Sequence, residues 1–463
     1  MHFLKTAFSS LRRVSSKATG MAWVRNLTIA SAVAASTLTM SLEAMAQDGP
    51  QIDITRGRSE PMPVAIPDFI ATTPATAGMG GDISGVIEAN LSRSGLFAPI
   101  DERAFLEKIE SVNIKPTFSN WRRINATVLL AGEVSEQSDG RVQVAARLWD
   151  VFGNQQLGTI AFKTPKDNWR RAAHKISDFV YSTLTGERGY FDTRIVYVGE
   201  TGPRNQRVKR LMIMDQDGAN PATLTNGLNY AALTPRFSPT RQQITYLAHF
   251  RDRPAQVYLF NIETGEQEAL GAFRGMTFAP RFTPDGDSVL MSIEQGGNTD
   301  VARMDLRTRR LARLTSHPAI DTSPSMSPDQ RRITFASDRG GSQQIYVMNA
   351  DGTDQKRITF GEGIYGTPVW SPRGDLIAFT RQYKSRFYIG VVRPDGTGER
   401  LLTESYLDEG PTWAPNGRVL MFFREQRPGG PVGLYSIDLT GQNLRKVETA
   451  TEASDPAWSP PLP

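Results

Sequence analysis

Pro411-Thr412-Trp413-Ala414-Pro415-Asn416-Gly417 is one of six near-copies of a single phrase, Pro-x-aromatic-Ser-Pro, and the interval between the copies decides the fold. The other copies start at Pro235, Pro280, Pro324, Pro368 and Pro456, so successive first prolines lie 45, 44, 44, 43 and 45 residues apart. A period of about 40–50 residues filled with short strands is that of a β-propeller blade. Downstream of each phrase runs a β-branched and aromatic stretch, such as Ile333-Thr334-Phe335 or Val419-Leu420-Met421-Phe422. A second run follows, such as Ile345-Tyr346-Val347-Met348, closed by Asp351-Gly352, where glycine supplies the positive φ of a tight hairpin. A short fourth run, of the form Leu314-Thr315 or Leu402-Thr403, ends the repeat. Each repeat therefore reads as one four-stranded antiparallel sheet.

The two ends of the array complement each other. Arg194–Val198, Leu211–Met214 and Leu224-Thr225 are second, third and fourth strands that lack a first. Pro456-Ala457-Trp458-Ser459-Pro460 is a first strand that lacks successors. The spacing predicts six blades closed in a ring, with 456–460 completing the sheet of 194–225. An open array would leave two bare sheet edges.

Residues 1–26 carry Lys5, Arg12, Arg13, Lys17 and Arg25 and no acid, 27–42 are uncharged and mildly apolar, and Ala44-Met45-Ala46 is a small-x-small cleavage signal. The expectation is a signal peptide over 1–46, with the general secretory route as default and Arg12-Arg13 compatible with a twin-arginine route. Removing it takes five bases and one acid from the 53 and 48 of the whole chain and leaves 48 and 47. The basicity belongs to the leader, so neither a nucleic-acid partner nor stable membrane insertion is expected. The chain has no cysteine, so neither disulfides nor thiolate chemistry enter.

Residues 47–186 read as an α/β domain with a flexible start, and 187–463 as the propeller. Within the first domain, the pattern predicts a strand at Pro63–Pro67 and a helix capped by Asp82 and ended by Gly95. It predicts a second short helix over 101–109, a hairpin of 127–134 with 141–149, a strand at 157–162, and a last helix from Asp167 or Asn168 to Gly186. No Gly-x-Ser-x-Gly elbow, phosphate loop or dinucleotide fingerprint is present, and His174, His249 and His317 fit no zinc spacing. No cofactor, metal or catalytic residue is expected. The rival reading is a periplasmic propeller enzyme, a lyase, lactonase or peptidase-related hydrolase, because propeller enzymes gather their residues from distant blades.

The export signal, the small α/β domain and the six repeats together resemble the TolB family, the periplasmic component of the Tol–Pal system. The resemblance is carried by Thr193–Val198 entering the propeller, Leu407-Asp408-Glu409-Gly410-Pro411-Thr412 before the fifth phrase, and the terminal Pro456–Pro460. The chain departs from the pattern at Met326, where the third phrase has no aromatic, and at Met276-Thr277-Phe278, where better-known members carry a histidine. The resemblance implies a monomeric, non-catalytic periplasmic scaffold. It would support outer-membrane integrity and the drawing-in of that membrane at cell division. The residues that enter each innermost strand ring one end of the channel. By resemblance that ring, with Thr234, Phe278, Asp321, Thr322, Tyr365, Thr367, Asp408, Glu409 and Asp455, binds the lipoprotein Pal. The flexible mature N-terminus, with Gln47, Asp48, Gln51, Ile52, Asp53 and Ile54, would bind TolA by adding a strand to its sheet.

Overall fold

A computed structural model describes residues 49–52, 60–271 and 276–463. The expected signal peptide lies outside the described residues.

The first domain is a six-stranded sheet with helices on both faces. Its elements are β1 (Met62–Ala65), β2 (Ile70–Ala71), α1 (Met79–Arg93), β3 (Phe97–Pro99), α2 (Phe118–Arg123), β4 (Val128–Glu136), β5 (Val142–Asp150), β6 (Gln155–Thr164) and α3 (Trp169–Thr185). The order is β3-β1-β4-β5-β6, with β2 also paired to β4. β1 runs parallel to both β3 and β4, and β4, β5 and β6 are antiparallel. α1 and α3 lie on one face, over Val64, Val128 and Leu130, and α2 on the other, over Ala65, Leu129 and Trp149. Ile83, Ile87 and Leu91 of α1 and Ala173, Ile176, Val180 and Leu184 of α3 recur at helical spacing and are fully buried.

Two helix expectations need correction. α1 begins at Met79 behind Gly78 (φ 83°), and Asp82 lies in its first turn rather than capping it. The extra turn holds Gly80 because a Cβ there would stand 1.8 Å from the Phe69 carbonyl oxygen. Residues 101–109 form only the single 3₁₀ turn Glu102–Ala104. Asp101 takes the Arg103 backbone N–H and guanidinium, a local pairing that favours a turn over a helix. The second helix is instead α2, which buries Phe118 and Trp121 three residues apart.

The propeller has six four-stranded sheets. The sixth joins β7 (Arg194–Thr201), β8 (Val208–Asp215) and β9 (Ala222–Thr223) to the closing strand Glu452–Trp458, which pairs antiparallel to β7 as the innermost strand. Trp458 donates its indole N–H to the Thr193 hydroxyl at 2.8 Å. Closure therefore occurs as the spacing predicted.

The repeated residues have repeated jobs. In four blades the threonine of the fourth run (Thr225, Thr315, Thr359, Thr403) accepts the N–H of Leu211, Val301, Ile345 or Ile389 in the third strand at 2.9–3.0 Å. This satisfies a backbone donor that the short fourth strand cannot reach. At the far end of the innermost strand, Gly286, Gly374 and Gly417 turn the chain at φ of 68–78°. Inside the strand, the residue before the first proline is left-handed in every blade: Thr234, Ala279, Ser323, Thr367, Gly410 and Asp455, at φ of 46–65°. A bulge breaks the pairing there in all six sheets.

The two domains share a core. One hydrophobic cluster runs from Val64, Ile87 and Leu130 through Tyr181, Tyr190 and Phe191 to Tyr197, Met421 and Trp458. Around it, Glu187 pairs with Arg373 and Arg418, Asn443 donates to the Arg93 carbonyl, and Arg170 pairs with Asp215 and Asp217. All these propeller groups sit on hairpin turns at one end of the ring. That end, capped by the α/β domain, is the proximal end of the channel, and the innermost strands begin at the distal end.

Candidate functional site at the distal channel mouth

Each innermost strand enters at the distal mouth, and its alternation sorts the side chains. Three residues before the first proline stand Ala232, Thr277, Asp321, Tyr365, Asp408 and Ala453, and all six are 0 % exposed. These side chains point between blades. At the next two positions, Thr234, Phe278, Thr322, Thr367, Glu409 and Asp455 are half-buried and face the channel, while Gly410 and Ser454 are buried. Because successive strand residues point to opposite faces, one ring of residues divides into a packing set and a lining set.

The packing set corrects part of the expected Pal surface. Asp408 receives both forks of Arg424 at 2.6 Å and the hydroxyls of Thr403 and Ser405 at 2.6 and 2.7 Å. Asp321 is held by Arg339 at 2.7 Å, and Arg339 in turn lies over Phe335 and Tyr346. Tyr365 donates to Glu399 at 2.7 Å. Apart from Asp321 Oδ1, which is buried without a partner among the described residues, their acceptors and donors are engaged inside the blades. These three residues hold the mouth together and offer a partner no side-chain surface.

The lining set is polar. Thr322 meets Ser292 at 3.1 Å, Thr367 donates to Thr380 at 2.8 Å, and the Thr234 hydroxyl is buried with no partner among the described residues. Burial raises the carboxyl pKa of Asp455 against the opposing pull of Arg236. Burial, with Asp455 adding to it, raises that of Glu409.

The most exposed part of the mouth was not foreseen. Of twelve large apolar side chains exposed among the described residues, six (Leu228, Met276, Ile320, Phe360, Ile364 and Tyr406) lie where a fourth strand crosses to the next innermost strand. Five of the six crossings carry at least one; Leu228 is 77 % and Phe360 72 % exposed. They form an apolar crown around the polar lining. In the sequence each looks like a lone apolar residue in a polar loop; only the closed ring sums them into one patch.

At the N-terminus, Ile52 is buried in the shared core and its N–H donates to the Leu184 carbonyl at 2.8 Å, while Gln51 is exposed. Gln47, Asp48, Asp53 and Ile54 lie outside the described residues. His174, Asp215 and Asp217 cluster closely enough to suggest a cation site, but Arg170 already bridges the two carboxylates. His174 approaches Asp215 at 3.8 Å and takes Asn90 on its other nitrogen at 2.9 Å. The donors belong to a domain junction already neutralised by arginine. His249 and His317 are exposed. No helix among the described residues is long and apolar enough to cross a membrane.

The family model described as TolB beta propeller domain matches residues 181–462, and that described as TolB amino-terminal domain matches residues 50–157. Among solved structures, TolB from Acinetobacter baumannii superposes with a TM-score of 0.76 at 29 % identity, over 87 % of this chain and 97 % of that one. A candidate TolB from Agrobacterium tumefaciens aligns over 57 % of this chain and 91 % of its own, with a TM-score of 0.45 at 19 % identity. The hydrazine synthase of Kuenenia stuttgartiensis aligns over 58 % and 47 % with a TM-score of 0.48 at 14 % identity. Neither of these last two likenesses carries an argument about function. Fold and matches together define a two-domain propeller protein of the Tol–Pal class. The chain belongs to the TolB family.

Proposed function

We propose that the protein is a periplasmic, monomeric, non-enzymatic adaptor that binds Pal at the distal channel mouth and TolA through its mature N-terminus. In this role it supports outer-membrane integrity and the inward movement of that membrane at division. The observation that carries the Pal half is the crown of Leu228, Met276, Ile320, Phe360, Ile364 and Tyr406 around a polar lining. Exposed apolar side chains around a polar lining have the make-up of a protein interface. The crown stands on the face turned away from the α/β domain, where a partner meets no steric competition. For the TolA half, the support is the strand potential of 52–55 and the position of Gln51 at the surface. Ile52 would have to leave the α3 end to join a partner's sheet, so capture of the segment competes with its docking on its own domain.

Calorimetric titration of the mature protein with the periplasmic domain of Pal tests the first half. The double variant Leu228→Ser, Phe360→Ser should weaken binding tenfold or more while melting unchanged; undiminished affinity would refute the crown. Removing residues 47–55 should abolish TolA capture and spare Pal capture. Turnover of any member of a lactone and peptide panel would favour the enzyme reading instead.

A further inference from the structure

The proximal end of the channel carries a second chemistry. There the residue following the first proline of each phrase borders a cavity of about 380 Å³: Arg236, Arg281, Ser325, Val369, Thr412 and Ala457. That volume suits a small ligand. Arg188, from the linker between the domains, lies on the same cavity. The remaining wall is largely rings, with the phenylalanines, tryptophans and prolines of the phrases facing inward. Such a wall lowers the local dielectric and strengthens whatever charge interactions occur inside it.

Arg236 and Arg281 occupy equivalent positions in neighbouring blades, and no carboxylate lines the cavity among the described residues. Arg236 donates to the carbonyl of its own neighbour Pro235, and Asp455, two residues before the cavity-lining Ala457, partly offsets its charge from the distal side. Arg281 and Arg188 make no hydrogen bond or ion pair among the described residues. Burial lowers the pKa of Arg236, and burial together with the like charge of Arg236 lowers that of Arg281 further. Two guanidinium groups bordering one apolar cavity repel each other; the Arg281 fork of donors is unused among the described residues, and Arg236 has spent Nη1 on Pro235. A planar, bidentate oxyanion satisfies both conditions, since guanidinium matches carboxylate and phosphate geometry.

We infer that the proximal channel end is an anion site, in which Arg236 and Arg281 grip a phosphate or carboxylate group of a small soluble molecule and Arg188 closes over it. The site lies at the opposite end of the channel from the crown and does not depend on the Pal reading.

The experiment uses the mature full-length protein. Melting is followed with inorganic phosphate, with citrate, and with chloride at matched ionic strength. Phosphate or citrate should raise the melting temperature above the chloride control, as binding to the folded state requires. Arg281→Met should abolish that rise and should melt no lower than wild type without anion, because it removes an unpaired charge from an apolar wall. Calorimetry should show affinity for the effective anion reduced tenfold or more in Arg281→Met and two- to fivefold in Arg188→Ala. Phosphate alone acting marks a phosphate-bearing ligand; citrate alone acting marks a carboxylate. The inference fails if neither anion exceeds chloride, or if Arg281→Met keeps the wild-type response. It also fails if that variant melts lower without anion. Should Arg281→Met not fold, undiminished anion binding by Arg188→Ala and Arg281→Lys would overturn it.

Discussion

At its distal end the channel is rimmed by apolar side chains on crossing loops, with Glu409 and Asp455 just inside. At its proximal end the same six strands present Arg236 and Arg281 among aromatic rings, beneath the linker that carries Arg188. The two ends are separated by only the length of an innermost strand, six or seven residues and hence about 20 Å. One repeat thus builds two unlike surfaces. Its proximal half is a fixed phrase bound by packing to the next blade and to the α/β domain. Its distal half is a crossing loop with few structural duties, free to differ from blade to blade. The proximal phrase accordingly keeps its two prolines in every repeat, while the crossings range from 360–364, with Phe360 and Ile364 at its ends, to the small Thr449-Ala450-Thr451.

The largest test removes both ends at once. Deleting residues 454–463 takes away the innermost strand of the sixth blade and Trp458, which belongs to the core shared by both domains. The cooperative thermal transition should be lost or fall by well over 10 °C; unchanged melting would mean that the ring does not depend on its closure. Next in size, Asp408→Ala strands the buried Arg424 and should destabilise the protein by about 3–5 kcal/mol in denaturant titration. Phe360→Ser, one crossing away, should leave stability within about 0.5 kcal/mol, as expected for an exposed side chain. If Asp408→Ala were stable and merely lost Pal binding, the division into packing and lining residues would be wrong.

The smallest test concerns the acids of the distal lining. Glu409 holds its proton more tightly in the fold than in the unfolded chain, because burial and Asp455 disfavour its charge. A raised carboxyl pKa contributes stability at low pH, and that contribution is lost as pH rises through the folded value. Glu409→Gln should therefore melt higher than wild type at pH 8, by about 1–2 °C, and equally at low pH where both are neutral. A larger gain at low pH would reverse the assignment.

The propeller was legible in the sequence because its phrase is a covalent repeat: the period, the Asp-Gly hairpins and the complementary ends each appear in the order of residues. α1 and α2 were less so. α1 starts on Met79-Gly80, where the value of the glycine lies in a close approach to Phe69, and α2 is one and a half turns anchored by Phe118 and Trp121. Neither signal is local. At the mouth, position along the strand was readable but orientation was not, because the bulge at Thr234, Ala279, Ser323, Thr367, Gly410 and Asp455 resets the alternation after the buried position. The crown and the arginine pair were invisible for a different reason. Each is a sum over blades, and a sum over blades exists only after the ring closes.

The strand Glu452–Trp458 comes some 250 residues after Arg194, yet it completes the sheet begun there and fills a core begun at Ile52. During folding, some 250 residues of blades must wait beside an open edge at β7. The molecule therefore cannot mature domain by domain as it emerges. Its assembly is gated by the arrival of that strand, and a chain cut before Glu452 keeps a bare edge at β7, a target for quality-control proteases.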